Sequence, residues 1–205
     1  MTFDAEYMAF ANRYAEQPFW LYEVGQLLSV VRRQRPVSRI LDVGCNDGAM
    51  AAVMLALGVV KEAHGFDVNA QAVAVGARLW PSVKFRAAPQ LAAADYEPGY
   101  FDVVVSLNTL GHMDSPDYEL DQMHLLAKKG ATLAVVVPNR RYYQARYWPG
   151  TAPGDATQRH EWSAGELESE LLSTGWWPTK ITTFGRSVPW APWIRSRILM
   201  EATCI

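Results

Sequence analysis

The sequence predicts an α/β fold: one Rossmann-like, doubly wound sheet of seven strands, mostly parallel, with an antiparallel C-terminal edge pair and helices on both faces. Three observations predict it. Short β-like apolar runs alternate with longer helical ones along 205 residues, as in successive strand–helix–strand units. A glycine-bearing turn, Leu41-Asp-Val-Gly-Cys-Asn-Asp-Gly48, follows the first strand and opens a helix. The last two strands are joined by a loop holding Pro189 and Pro192, without the long crossover that a parallel connection needs.

The elements follow in order. Two helices are expected first, Ala5 to Glu16 and Phe19 to Arg33, broken at Pro18 and ended by Pro36, since proline lacks the helical N–H and restricts the residue before it. Strands are expected at Arg39–Val43, Glu62–Asp67, Val83–Arg86, Phe101–Leu107, Ala131–Val137, Trp177–Phe184 and Arg197–Thr203. Between them lie helices from Asp47 to Leu57, closed by Gly58, from Asn69 to Trp80, ended by Pro81, and from Ser115 to Leu126, with Pro116 in its first turn. Ser163-Ala-Gly-Glu166 opens another as a capping box, with Gly175 suited to its stop. Residues 1–205 form one domain, in which 1–35 are a helical lid and 138–162 a long loop covering the substrate.

Half of the residues are hydrophobic, a fifth are charged and the net charge is −2. That is a globular composition with no chain-wide basic field, which argues against a nucleic-acid partner. Cys45 and Cys204 stand far apart with no metal-type spacing, so neither a disulfide framework nor a metal site is expected, and a reduced compartment is. The N-terminus lacks a basic start and an apolar run, and the longest apolar stretch, Ala49 to Val60, is 12 residues, short of the ~20 that span a bilayer. The expectation is a cytoplasmic protein with no membrane partner.

The first turn bears most on the ligand, because in doubly wound sheets ligands bind outside the carboxyl ends of the strands. Only Gly44 and Gly48 fit a dinucleotide turn, in a Gly-x-x-x-Gly spacing, where a pyrophosphate site wants Gly-x-Gly-x-x-Gly. Asp42 would place a negative charge near any pyrophosphate, and two unit charges ~4 Å apart interact by ~4 kcal/mol at an effective dielectric of 20. The same charge favours a cationic ligand. Asp67, 19 residues beyond Gly48, stands where a strand-end acid accepts ribose hydroxyls.

Leu41-Asp-Val-Gly-Cys-Asn-Asp-Gly48 resembles motif I of class I S-adenosylmethionine-dependent methyltransferases, and Gly65-Phe-Asp-Val-Asn69 resembles their second motif. Phe101-Asp-Val-Val-Val-Ser-Leu-Asn108, with Gly111-His112-Met113, is similar to the family's fourth strand and the loop that faces the methyl group. Gly130 to Asn139 and His160 to Trp176 are similar to the subgroup that includes ubiquinone-pathway O-methyltransferases and many sugar and natural-product methyltransferases. The resemblance implies S-adenosylmethionine as cofactor, held by Asp42, Gly44, Cys45, Asn46, Gly48, Asp67, Val68, Asn69, Ala88, Leu107 and Asn108. Two positions depart from the family. Asn46 replaces the usual middle glycine, a change that asparagine's tolerance of the left-handed region accommodates. Ala88 stands where many members carry an aspartate for the adenine amino group.

Methyl transfer from a sulfonium is a direct displacement, so alignment and exclusion of water come first, and a base is needed only where the acceptor holds its proton. His112 and His160 are the candidate catalytic contacts, since imidazole takes a proton near neutral pH; each also has a reading as a histidine that braces its own loop. His64 and His124 look structural by position. In the loop, Arg140, Tyr142 and Tyr143 are candidate acceptor contacts, because arginine beside aromatics suits an anionic or flat group; a solvated insert is the alternative. Six of eight tryptophans lie from Trp148 onward. Trp176 and Trp177 read as core, and Trp190-Ala-Pro-Trp193 as a pocket wall or as a surface for a protein partner or a second copy. The expected function is methyl transfer to oxygen or nitrogen of a small-molecule acceptor. The alternatives are a non-catalytic module of the same fold that binds protein or nucleic acid, and an NAD-dependent oxidoreductase, which Asp42 and the missing third glycine disfavour.

Overall fold

The computed structural model describes residues 18–34, 36–140, 159–184 and 197–205. Its elements are helix α1 (Pro18–Arg33), β1 (Arg39–Val43), α2 (Ala49–Ala56), β2 (Glu62–Asp67), α3 (Ala70–Leu79), β3 (Lys84–Ala87), β4 (Phe101–Leu107), α4 (Pro116–Leu126), β5 (Ala127–Pro138), α5 (Ala164–Ser173), β6 (Trp176–Phe184) and β7 (Arg197–Cys204), with short 3-10 turns at Leu91–Ala94 and Leu110–His112. The seven strands form one sheet in the order β3-β2-β1-β4-β5-β7-β6. Strands β1 to β5 pair in parallel, whereas β7 runs antiparallel to both β5 and β6. The expected architecture is therefore present, and the strand order reverses between β1 and β4.

Strand alternation divides the core. Leu41, Val43, Val104, Leu133 and Val135 face α4 and α5, meeting Leu120, Met123, Leu167 and Leu171. Ile40, Val103, Val105, Ala134 and Val136 face the other way, onto Val24, Leu27, Val30 and Val31 of α1 and Met50 and Met54 of α2. Asp42 shares the Ile40 side by the two-residue period of a strand. Helix α1 is held at both ends: Arg33 donates to Glu201 of β7 at 2.7 Å, and Glu23 accepts from Asn108 beyond β4 at 3.0 Å.

Local chemistry sets the helix ends. The Asn69 side chain accepts from the N–H groups of Gln71 and Ala72 and caps α3. The Glu166 carboxylate takes both donors of Ser163, its N–H at 2.8 Å and its hydroxyl at 2.7 Å. Those two bonds, with Arg140 beside them, hold Glu166 down to about 2.

Three expectations change. Strand β5 starts at Ala127, four residues early, because Ala127 pairs with Phe101 and a register shift then carries Lys128 to Gly130 into the strand. Strand β3 runs one residue later than expected. Trp177 is not core: Trp176 lies opposite Cys204 and is fully buried, but Trp177 lies opposite Thr203 on the other face of an edge strand and is 58% exposed. The expected helix at 5–16, Tyr142, Tyr143, Trp190 and Trp193 lie outside the described residues. Among the described residues, no helix is long and apolar enough to cross a membrane.

Candidate active site

The carboxyl ends of β1 to β5 share one edge of the sheet, and the turn after β1 is stitched to β2 there. The N–H groups of Gly44 and Cys45 both donate to the Phe66 carbonyl, at 2.8 and 3.0 Å. The Asn46 N–H donates to one oxygen of Asp67, and the Asn69 N–H to the other, each at 2.8 Å. Asp67 thus clamps the turn to the start of α3 and keeps lone pairs on both oxygens, since a carboxylate offers about four acceptor sites.

Asn46 adopts φ 51, between Gly44 at φ 79 and Gly48 at φ 76. Asparagine therefore takes the left-handed conformation that glycine more often occupies, and the turn keeps its form. Glycine is required at its flanks for space as well. A Cβ on Gly44 would fall 2.1 Å from the Thr109 side chain, and one on Gly48 would fall 2.4 Å from the Phe85 ring. Thr109 and Phe85, which the sequence reading passed over, are the walls against which the turn is moulded.

Asp42 is 2% exposed. Burial pushes its carboxyl well above the ordinary range, and the negative charges of Asp67 and Asp47 push it further in the same direction. Asp67 is also raised by burial, against the opposing pull of its backbone donors. The Cys45 thiol is raised by burial first and then by Asp42, so it serves as packing beneath Gly65 and not as a nucleophile. The charge of Asp42 therefore depends on its company: a neighbouring positive group would lower its proton affinity, and a negative one would raise it further.

Around this cradle, Val68 is 44% exposed beside Asp67, an apolar surface at the mouth. Ala88, just past β3, packs half-buried against the core and offers no polar side-chain atom. Asn69 lies in the same stretch, but its Oδ1 serves the α3 cap. Leu107 and Asn108 end β4, with Asn108 at φ 54 and its side chain donating to Glu23.

The two candidate histidines meet at one loop. Arg159 and His160 both donate backbone N–H groups to the Gly111 carbonyl, at 2.8 and 3.0 Å, next to His112. The His160 ring stacks on Trp162 with centroids 6.0 Å apart, and Arg140 donates its N–H to the Trp162 carbonyl at 2.9 Å. Both ends of the long loop are thus anchored beside the β4 turn. Arg140, expected to reach an acceptor, has its guanidinium paired with Glu166, and Arg159 is paired with Asp114. His64 and His124 are structural: His64 is enclosed by Tyr96, Tyr100 and Phe101, and His124 sits edge-on to Trp176. Among the described residues, no group of three or more His, Cys, Asp or Glu could hold a metal.

A mostly parallel sheet with a moulded glycine turn at its switch point, a buried acid on β1 and a half-buried one at the end of β2 is the arrangement of a protein built to bind an adenosyl-type ligand. Residues 14–180 match the methyltransferase domain family, and the chain belongs to it. It is 30% identical over 109 residues to the ubiquinone biosynthesis O-methyltransferase of Burkholderia thailandensis, an alignment covering 51% of this chain and 46% of that one. The chain therefore spans about half the length of that curated relative. The same fold occurs in the chain that partners a methyltransferase activator in a complex from Haloferax volcanii (TM-score 0.75, 13% identity, 97% of this chain and 96% of that one). It also occurs in a SAM-dependent methyltransferase from Archaeoglobus fulgidus (TM-score 0.69, 15% identity, 91% of this chain and 100% of that one). S-adenosylmethionine, expected from the turn, is the cofactor that membership of this family supports.

Proposed function

We propose that the protein transfers the methyl group of S-adenosylmethionine to oxygen or nitrogen of a small-molecule acceptor. The observation that carries this reading is Asp42: it is a buried carboxylate at the end of β1, and both charges acting on it are negative. A sulfonium and an ammonium relieve that arrangement, and a pyrophosphate aggravates it.

The residues present fit the cofactor, with one gap. Asp67 is placed to accept from ribose hydroxyls through its remaining lone pairs, Gly44 and Asn46 let the backbone approach, and Val68 offers an apolar face to a flat base. The gap is Ala88, which leaves the adenine amino group to be held by backbone or by another side chain. When bound, the cofactor supplies an electrophilic methyl on a positively charged sulfur. The chain's part is alignment and dryness. Leu107 and Asn108 border the position of the reacting groups, while one of His112 and His160, which meet at Gly111, receives the single proton that the acceptor loses. Of the loop candidates, Tyr142 and Tyr143 are assigned to stack on the acceptor, and Arg140 contributes by holding the loop to α5 through Glu166.

Calorimetric titration with S-adenosylmethionine, its demethylated product and NAD tests the reading. The adenosyl compounds are expected to bind and NAD is not; a preference for NAD sinks the proposal. Asp67→Ala should weaken adenosyl binding by ~1–3 kcal/mol through lost charge-assisted bonds, and an unchanged affinity would remove Asp67 from the ribose. A second reading, a non-catalytic module with a protein partner, is favoured by one observation: Trp177 lies exposed on the edge strand β6. The fold neighbour from Haloferax volcanii was solved with an activator protein. Absence of methyl transfer to any fraction of a metabolite extract, with the cofactor bound, would bring that reading forward.

A further inference from the structure

We propose that Glu23 is a positioning residue that fixes the Asn108 side chain at the end of β4 and so couples the seating of α1 to retention of the cofactor; this rests on the adenosyl-binding reading above. Glu23 is fully buried on the apolar stripe of α1, immediately before Val24. A carboxylate is a costly choice there, because an apolar side chain of similar volume is often neutral or stabilising at a buried charged position. Its visible use is local and directional. The Glu23 Oε2 accepts from Asn108 Nδ2 at 3.0 Å, across 85 positions of sequence. A carboxylate can only accept, so it sets which end of the Asn108 amide faces the helix.

Asn108 is a demanding residue to hold. It sits at φ 54, with its N–H bonded to the Val136 carbonyl at 2.8 Å. The next residue, Thr109, shares its one hydroxyl proton between the Leu107 carbonyl at 3.1 Å and the Gly44 carbonyl at 3.3 Å, and its side chain fills the space that a Cβ on Gly44 would need. The chain of contacts therefore runs from α1 through Glu23 and Asn108 to Thr109 and the first turn. The other end of α1 is tied by Arg33 to Glu201, away from this route. Among the described residues, Arg33 thus anchors the C-terminal end of the helix and Glu23 reaches the site.

The test compares wild type, Glu23→Met, Glu23→Gln and Arg33→Met by thermal unfolding and by titration with S-adenosylmethionine and its demethylated product. Glu23→Met should keep or raise the melting temperature yet raise Kd roughly tenfold, the cost of losing the bond that orients the Asn108 amide beside the ligand. Glu23→Gln, which can still accept through its carbonyl, should stay within about threefold of wild type. Arg33→Met should lower the melting temperature and leave Kd unchanged. Wild-type affinity in Glu23→Met overturns the proposal, as does an equal loss of affinity in Arg33→Met, which would reduce the effect to helix anchorage. Should Glu23→Met fail to fold, Asn108→Asp and the double variant Glu23→Gln/Asn108→Asp read the same contact. The single variant opposes two carboxylates and loses affinity; the double restores a donor and an acceptor and recovers it, and no recovery overturns the proposal. No adenosyl binding by wild type removes the methyl-transfer reading itself, a result distinct from wild-type binding that Glu23→Met leaves unchanged.

Discussion

Gly76→Ala pits a helix preference against a packing constraint, and the structure decides the sign. Gly76 is buried inside α3, where alanine would gain ~1 kcal/mol of helix propensity. The new Cβ would land 2.4 Å from the Asp47 carbonyl oxygen, 2.9 Å from its carbon and 2.8 Å from the Phe85 ring, against ordinary contacts of 3.4–4 Å. Two of those atoms are backbone and cannot swing aside. Asp47 lies between Asn46 and Gly48, both at positive φ, and the Gly48 N–H is bonded to Cys45 at 2.8 Å. Relief therefore requires α3 to move off the sheet or the turn to shift by about an ångström. Overpacking costs ~1–3 kcal/mol, and a clash with backbone that cannot swing aside puts this one at the upper end, ~2–3 kcal/mol; less the ~1 kcal/mol gained in propensity, the expected net loss is about 1–2 kcal/mol, or roughly 2–8 °C of melting temperature for a chain of this size. Urea and thermal unfolding read the stability, and titration with the demethylated cofactor reads the turn, where affinity should fall as well. A Gly76→Ala protein more stable by ~1 kcal/mol, as propensity alone demands, with unchanged cofactor affinity, would refute the packing of α3 on the turn.

Three further outcomes follow from the titrating groups. Asp42→Asn should be more stable than wild type at pH 7 without ligand: the folded chain keeps the Asp42 proton above the ordinary carboxyl value of 3.8, so wild-type stability falls as pH rises through that window. Thermal melts should show the advantage vanish at about pH 3, below both proton affinities, and titration should show weaker cofactor binding. Glu62 is held down to about 2, chiefly by its bond to His64 and next by Lys84, with Tyr100 adding a third. Its contribution is present above 4.5 and is lost as pH falls toward 2, so Glu62→Gln should flatten the acid limb of the stability curve in that range. His64 is itself lowered, mainly by burial, and its loss begins below its ordinary 6.5. A wild-type acid limb confined to the region above pH 4.5 would remove the Glu62 assignment.

Much of the frame was legible because local chemistry and tertiary packing agree. Ser163 three residues before Glu166 is a cap that needs no knowledge of the fold, and it formed; Asn69, read as the first residue of its helix, caps it instead. The turn after β1 was legible in its glycines and in Asn46, but its helix begins at Ala49 and not at Asp47, because Gly48 at φ 76 still belongs to the turn. Phe85 and Thr109 were not: what matters about them is which glycine they press against, a long-range property that no periodicity encodes. Glu23 left a trace, a carboxylate on an apolar stripe, but its partner lies 85 positions away. Trp177 was misread because adjacency to Trp176 suggested a shared environment, whereas neighbours on a strand face opposite ways.

The acids at and near the strand ends, Asp67, Asp42 and Glu23 of α1, differ in what supports them, and that difference orders their roles. Asp67 is held by backbone N–H groups from two loops, so its orientation is set by the fold whether or not a ligand is bound. Glu23 is bonded to Asn108, which makes its placement depend on how α1 is seated. Among the described residues, burial and the repulsion of Asp67 and Asp47 act on Asp42, so its charge is the one that a bound cation most readily changes. Binding a sulfonium and an ammonium nearby lowers the proton affinity of Asp42 and removes a destabilising term from the folded state. Cofactor selectivity and the added stability expected of Asp42→Asn then have a common origin, and the substitution should gain the second only by giving up the first.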